Sequence, residues 1–353
     1  MVKYLCSNSE FFNFIFCNRK YMYMKKLLFG VLMLSFLSCN SDNINNQTEE
    51  SSNNTESLGG SAFKRGCPSE DIRKTALQNS AELRQKYSEL EANTEKFTND
   101  LKLGKVLSDG TVEIPVVVNV LYRTSTENIS AARIAEQIAV LNADYGGTNT
   151  DVSKIPTAFQ GVKAGDVKVR FRLANTVRKS TTKTSWSTND AMKRSSSGGI
   201  DATSPANYLN IWVVGNMGQI LGYATFPESS GLWNDGVVIA ASYFGKTGAS
   251  APFNQGRTAT HEVGHYLNLR HIWGDANCGN DLVTDTPTQT GPNYGKPSYP
   301  LYNTCGGVQR SVMFMNYMDY VDDAAMFMFS AGQKTRMQSV VASSGARSGL
   351  RLY

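Results

Sequence analysis

Residues 261–271 read His-Glu-Val-Gly-His-Tyr-Leu-Asn-Leu-Arg-His, and this one stretch holds all three histidines of a 353-residue chain. At about 100° per residue, His261 and His265 sit about 40° apart around a helix and one turn apart along it, so both imidazoles can face one metal ion. Glu262 stands beside them. His271 cannot join from the same straight helix, because that separation would carry it ~15 Å from His261. The chain must therefore turn near Asn268, a residue type that tolerates positive φ, and bring His271 back. Three neutral imidazoles leave a fourth coordination position open, the pattern of catalytic rather than closed zinc sites. In such a site zinc lowers the pKa of its water and polarises a carbonyl, and Glu262 would take the proton and pass it to a leaving amine. Solvated surface histidines are the bland alternative, and they leave the clustering to chance.

A predicted helix from Thr258 to about Leu269 carries the first two histidines. Before it, apolar runs predict strands at 112–123, 167–173, 208–214, 219–226 and 236–243. Ser130 caps a predicted helix to about Tyr145, since Ile134, Ile138 and Leu141 share one face, and Gly146-Gly147 ends it. Residues 70–97 predict one or two helices. Mostly loop follows the zinc segment as far as Val312, and a late helix is expected over 333–341. This is α/β or α+β organisation with the strand order left open. Hydrophobic residues make up 41% of the chain, enough to bury a core, which disfavours disorder or a repeat array. The net charge of +5 is dispersed, without a basic, aromatic-interleaved stripe, so no nucleic-acid partner is indicated.

The N-terminus reads as an address. Residues 24–38 begin with Met24 and two lysines, continue through the apolar run Leu27–Leu37, and end just before Cys39: a bacterial signal peptide with a lipobox-like close. The apolar run is about half the ~20 residues that a membrane-spanning helix needs. Translation is expected to start at Met24, with residues 1–23 an over-extended reading. Lipidation at Cys39 and ordinary cleavage with free secretion are the two alternatives. The product is accordingly an outer-membrane or cell-surface lipoprotein, or a secreted protein. Residues 39–60 are polar and read as a tether.

Further motifs follow the third histidine: Ile272-Trp273-Gly274-Asp275, Asp285-Thr286-Pro287, GPNYG at 291–295, and Phe314-Met315-Asn316-Tyr317-Met318-Asp319-Tyr320. With them the chain resembles the metzincin zinc endopeptidases of the pappalysin/cytophagalysin family (M43), from about Cys67 to about Met337. It departs from the family's HExxHxxGxxH motif at Asn268, where Gly is usual. The resemblance implies an α+β catalytic domain, 109–353, whose α/β-type upper subdomain holds a twisted mixed sheet and the active-site helix. An irregular lower subdomain with a Met-turn lies across a cleft. It implies zinc on His261, His265 and His271, Glu262 as general base, Met318 as the Met-turn floor, and Tyr320 as a hydroxyl near the oxyanion. A Met-rich core stretch and a half-buried packing tyrosine are the plain alternatives for the last two. Protein or peptide substrates would bind extended, by strand addition to an edge strand. Gln219–Phe226 is the candidate edge, and a monomer is expected.

The cysteines then sort. Cys278 and Cys305 would form one disulfide in an oxidising compartment. A second bridge found in relatives is lost, since its positions correspond to Lys296 and Ala325. Cys67, in an expected propeptide over 61–108, is placed to occupy zinc's fourth position in a latent form; an incidental free thiol is the alternative. Activation would need a cut around 95–110. The loop Gly279–Thr286 offers Asp281, Asp285 and Thr286 to a structural calcium, or forms an ordinary Asx-rich turn. Some relatives use a late acidic residue to select Arg or Lys after the scissile bond. No Asp or Glu follows Asp323, so a basic preference is not indicated and an apolar pocket is an equal alternative. The reading is an exported zinc endopeptidase; a zinc-stabilised adhesion module without turnover is the alternative, one with no use for Glu262.

Overall fold

Ser80 divides the N-terminal helical stretch. Its extended backbone ends α1 (Ser69–Asn79), and its hydroxyl accepts from Leu83 N to cap α2 (Ala81–Lys102). The computed structural model describes residues 64–104 and 110–351, all within one unit, Gly59–Tyr353. The expected leader, Cys39, the tether, and residues 61–63 and 105–109 of the expected propeptide lie outside the described residues.

The valine-rich run Val112–Tyr122 forms β1, buried from Ile114 to Leu121, because β-branched side chains suit a strand covered on both faces. Ser130 then caps α3 (Ala131–Gly146) by accepting from Arg133 N, and Gly147 closes it in the left-handed conformation. After the short helix α4 (Thr157–Gln160) come β2 (Val169–Ser180), β3 (Leu209–Val214), β4 (Gly222–Ala224) and β5 (Val237–Ala240). They form one sheet in the order β2-β1-β3-β5-β4, parallel except for β4, which runs antiparallel to β5 at the edge. Alternation along β3 serves two cores: Ile211 and Val213 face the helices and the Met-turn, while Trp212 and Val214 face a second cluster with Trp186, Met192 and Tyr223.

The zinc helix α5 (Arg257–Tyr266) lies against β4 and β5, with every residue buried. A late helix, α6 (Ala331–Val341), starts at a capping box of Ser330 and Gln333 and packs on α2. Strands differ from expectation in three places, the first being β2, expected over 167–173 but running on to Ser180. The edge strand is only Gly222–Ala224, because Ile220 belongs to a turn closed by its N–H to Met217 O. Within the expected loop there is a hairpin, β6 (Tyr302–Cys305) and β7 (Val308–Ser311), turned on Gly306-Gly307, both at positive φ. Its residues are too polar and too few for an apolar pattern to reveal.

The C-terminal segment is tied to the sheet by a fully buried pair. Arg347 bonds Asp235 with two nitrogens and Tyr266 O with a third, and its guanidinium lies over the Tyr266 ring. Removing one partner leaves the other charge buried and unpaired. Arg347→Met should therefore lower stability by roughly 3–5 kcal/mol in urea unfolding. Arg347→Met with Asp235→Asn should recover part of the loss; an unchanged midpoint for the single variant would overturn this account.

Candidate active site

One turn of α5 separates His261 from His265, and the helix stops at Tyr266 so that the chain can fold back. Asn268 makes that reversal at φ 75°, with Leu269 N returning to Gly264 O at 2.9 Å. The return brings His271 beside His265, their Nε2 atoms 3.1 Å apart. Each imidazole is aimed by an acceptor on its other nitrogen: Tyr317 O for His261 at 2.7 Å, Leu269 O for His265 at 2.8 Å, and the Asp275 carboxylate for His271 at 2.6 Å. These bonds hold the proton on Nδ1 and turn Nε2 inward. Trp273 stacks on His271 at 4.4 Å.

The three imidazoles and Cys67 Sγ form the one potential metal-ligand group found among the described residues, with all ligand atoms within 4.8 Å of one another. The donor set fits zinc. The nitrogens are close enough to share an ion at ~2.0–2.1 Å each, and His261 Nε2 is buried with no hydrogen-bond partner. Burial pulls the His261 and His265 pKa values well below the usual range, so both are neutral, as ligands must be.

Glu262 stands against this group, wholly buried, and burial pushes its pKa up to about 8. β4 passes so closely that a Cβ on Gly222 would lie 3.0 Å from Glu262 Cγ. From the other side, Met318 lies under the helix: a Cβ on Gly264 would meet its Sδ at 2.4 Å. Tyr320 sits within 5.8 Å of the His261 ring and 4.9 Å of the His271 ring, its hydroxyl donating to Cys67 O at 2.8 Å.

Residues 65–69 lie through the site along β4. Leu221 N donates to Gly66 O, and Ala224 N donates to Ser69 Oγ at 2.9 Å. The Ser69 hydroxyl and the Cys67 thiol each reach Glu262 at 3.2 Å. Arg65 places its guanidinium over the Phe253 ring and bonds the buried Asp323 carboxylate at 2.6 Å. The other Asp323 oxygen accepts from Gln255 N and Arg257 N at the start of α5. The sequence reading did not single out Arg65 or Ser69, because their roles depend on Asp323 and Ala224, which are distant in the chain. Asp323, the last acidic residue in the chain, thus already holds an arginine.

Cys278 and Cys305 are bonded, with Cα atoms 5.6 Å apart. Where relatives have a second bridge, Asp322 N donates to Gly295 O, joining the same two segments without sulfur. Asp281 and Asp285 do not converge. Asp281 accepts from Thr286 Oγ1 and Val283 N, whereas Asp285 turns away to Ser330 Oγ and Gly332 N at the start of α6.

Comparison with known proteins agrees with this geometry. The family model of peptidase M43, described as pregnancy-associated plasma protein-A, matches residues 197–342. Extracellular metalloprotease 1 of Coccidioides posadasii is 34% identical over 65% of this chain and 76% of its own length. Mature mirolysin of Tannerella forsythia, solved in complex with a cleaved peptide, is 42% identical, with a TM-score of 0.67 over 69% of this chain and 97% of that one. A point mutant of Tannerella forsythia promirolysin is 39% identical, with a TM-score of 0.72 over 82% of this chain and 98% of that one.

Asn268 carries both left-handed backbone and a buried side-chain amide whose Oδ1 and Nδ2 have no partner among the described residues. Asn268→Gly removes both costs, and should raise stability by about 1–2 kcal/mol, read as a higher Tm than either the parent or Asn268→Ala. A lower Tm for the glycine variant would contradict the strain assigned to this turn.

Proposed function

The chain belongs to the M43 family of metzincin zinc metalloproteases, and from that premise we propose an exported endopeptidase held latent by its own N-terminal segment. The observation that carries the reading is the convergence of three inward-facing imidazoles, an adjacent buried glutamate and the Cys67 thiol in one group. When bound, zinc supplies Lewis-acid polarisation of the scissile carbonyl and acidifies water. Glu262 would take the proton from that water and deliver it to the leaving amine. The Tyr320 hydroxyl, which here donates to the Cys67 carbonyl, would donate to the oxyanion that develops on the substrate. Met318 supports the helix from below. A binding module without turnover has no need of a carboxylate against the metal ligands.

Substrate polypeptide would lie extended along β4 in the cleft that residues 65–69 fill, but in the opposite chain direction, which puts the residue in the place of Arg65 after the scissile bond. Mirolysin's solved complex with a cleaved peptide supports binding in a cleft of this kind. Asp323, with Phe253 and Thr258 beside the Arg65 guanidinium, would select an arginine or lysine side chain directly after the scissile bond. Latency would combine Cys67 at the metal with Ser69 on Glu262, in a propeptide over 61–108 removed by a cut around 95–110. The longer alignment with the pro form of mirolysin fits this assignment. Export follows the signal-like segment 24–38 and the extracellular relatives; lipid on Cys39 would keep the product at the cell surface. A calcium ion at Asp281 and Asp285 is a separate expectation, answered by whether added calcium raises Tm.

Two experiments test the reading. Zinc-loaded activated protein should cleave a peptide library with Arg or Lys dominant after the scissile bond. Chelation or Glu262→Ala should remove turnover by at least about 10³-fold, and Asp323→Asn should flatten the preference. Full turnover by Glu262→Ala would end the mechanism. Separately, Cys67→Ala should be active without processing. Ser69→Ala should expose the Cys67 thiol to a disulfide reagent about tenfold faster. A zinc-loaded Cys67→Ala protein that stays latent would remove the switch.

A further inference from the structure

In an open, mostly parallel sheet, ligand crevices form beyond the carboxyl ends of the strands, where the order reverses. Here the reversal falls at β1 and β3. The chain leaves β1 through α3 to β2 on one side, and then returns to β3 on the other. The loops after β1 and β3 consequently diverge, and the turn after β5 closes the opening. A cavity of about 390 Å³ lies there.

Its walls are preformed and polar. Glu127 Oε2 accepts from Arg123 N at 2.6 Å, and the carboxylate lies so close to the start of the β3 loop that a Cβ on Gly215 would meet it at 2.8 Å. Arg133 is held by two backbone carbonyls, Phe244 O at 2.6 Å and Ala241 O at 2.7 Å, leaving Nη1 beside Gly248 on the crevice wall. Asn216, Ser242 and Ser250 add an exposed amide and two exposed hydroxyls.

The crevice continues the substrate cleft. Met217 and Gly218, on its wall, directly precede Gln219–Leu221, where Gly66 is bonded. Tyr243, also on its wall, packs edge-on against Phe253, the ring beneath the Arg65 guanidinium. The pairing of Gly66 with Leu221 and of Ser69 with Ala224 fixes which way the line runs: past Arg65 it heads toward Gly218. At ~3.3 Å per residue, a peptide following that line reaches the opening about two to four residues beyond the arginine.

We propose that this switch-point crevice is a distal substrate subsite. It would take the polar main chain and side chains of an extended polypeptide, two to four residues beyond the residue held by Asp323. The proposal rests on the endopeptidase reading above. It predicts that substrate length on the arginine side matters, independently of the arginine itself.

The test uses the protein freed of its N-terminal segment by limited proteolysis and loaded with zinc. Two peptides are compared, one ending directly after the arginine and one extended by five polar residues. For the parent, extension should raise kcat/KM about tenfold, the effect of one or two good polar contacts. Ser242→Trp and Asn216→Trp, at exposed wall positions, fill the crevice without touching the reacting groups. They should leave the short peptide's kcat/KM unchanged and abolish the gain from extension. Binding of the extended peptide to Glu262→Ala, followed by the indole fluorescence of Ser242→Trp in that background, reads occupancy without turnover. Equal length gains in parent and filled variants, or no fluorescence response to the extended peptide, would overturn the proposal. Fluorescence binding without cleavage by the parent would uphold the subsite and count against the endopeptidase reading alone.

Discussion

The metal centre depends on three hydrogen bonds that point away from it. Tyr317 O, Leu269 O and Asp275 each hold a histidine Nδ1 and so turn three Nε2 atoms toward one point. Only two ligands belong to the helix, and none of the three acceptors does. Tyr317 comes from the Met-turn and is itself anchored: its hydroxyl donates to Asp144 on α3, which also accepts from Thr260 on α5. Beside it, Met318 O accepts from Ile272 N, just after the third ligand. A site arranged this way forms only when helix, reversal and Met-turn have all docked, so folding and ligand alignment are one event.

Asp323 ties the N-terminal segment to the same helix. One oxygen accepts the first N–H groups of α5, where a negative charge is favoured by the exposed donors and the helix dipole. The other faces Arg65. The guanidinium of Arg257 bonds Asp323 O and Asp151, closing the network beneath. The Arg65 guanidinium therefore meets a carboxylate already committed to the start of the helix that carries His261 and Glu262.

The zinc ligands were legible in the sequence because their chemistry and spacing are local. Glu262 beside them, the reversal at Asn268 and the disulfide pair followed from the same neighbourhood or from the resemblance, as did the Met-turn. What could not be read depended on contacts distant in sequence. The parallel order of the sheet is set by crossovers and not by any strand's own pattern. The edge strand shrank to Gly222–Ala224 because Ile220 is taken up in the turn closed on Met217 O. The β6–β7 hairpin is polar throughout, and its signal was the Gly306-Gly307 pair alone. Ser69 and Arg65 looked like ordinary polar residues of an N-terminal segment, and acquired a role only once Ala224 and Asp323 were placed against them.

That segment also explains how a peptide can fill a peptidase site without being a substrate. Residues 66 and 69 pair with 221 and 224, so the segment runs parallel to β4. It bonds the β4 amides, the Tyr320 hydroxyl, the Asp323 carboxylate and Glu262. Yet the atom it sends among the three imidazoles is Cys67 Sγ, while the Cys67 carbonyl is drawn aside to Tyr320. At the point where the metal ligands converge the segment supplies that thiol, and Glu262 is bonded to Ser69 Oγ and to the same sulfur. The residues that flank Cys67 therefore hold the segment in the cleft, Arg65 through the Asp323 carboxylate and Ser69 through Glu262 and Ala224 N.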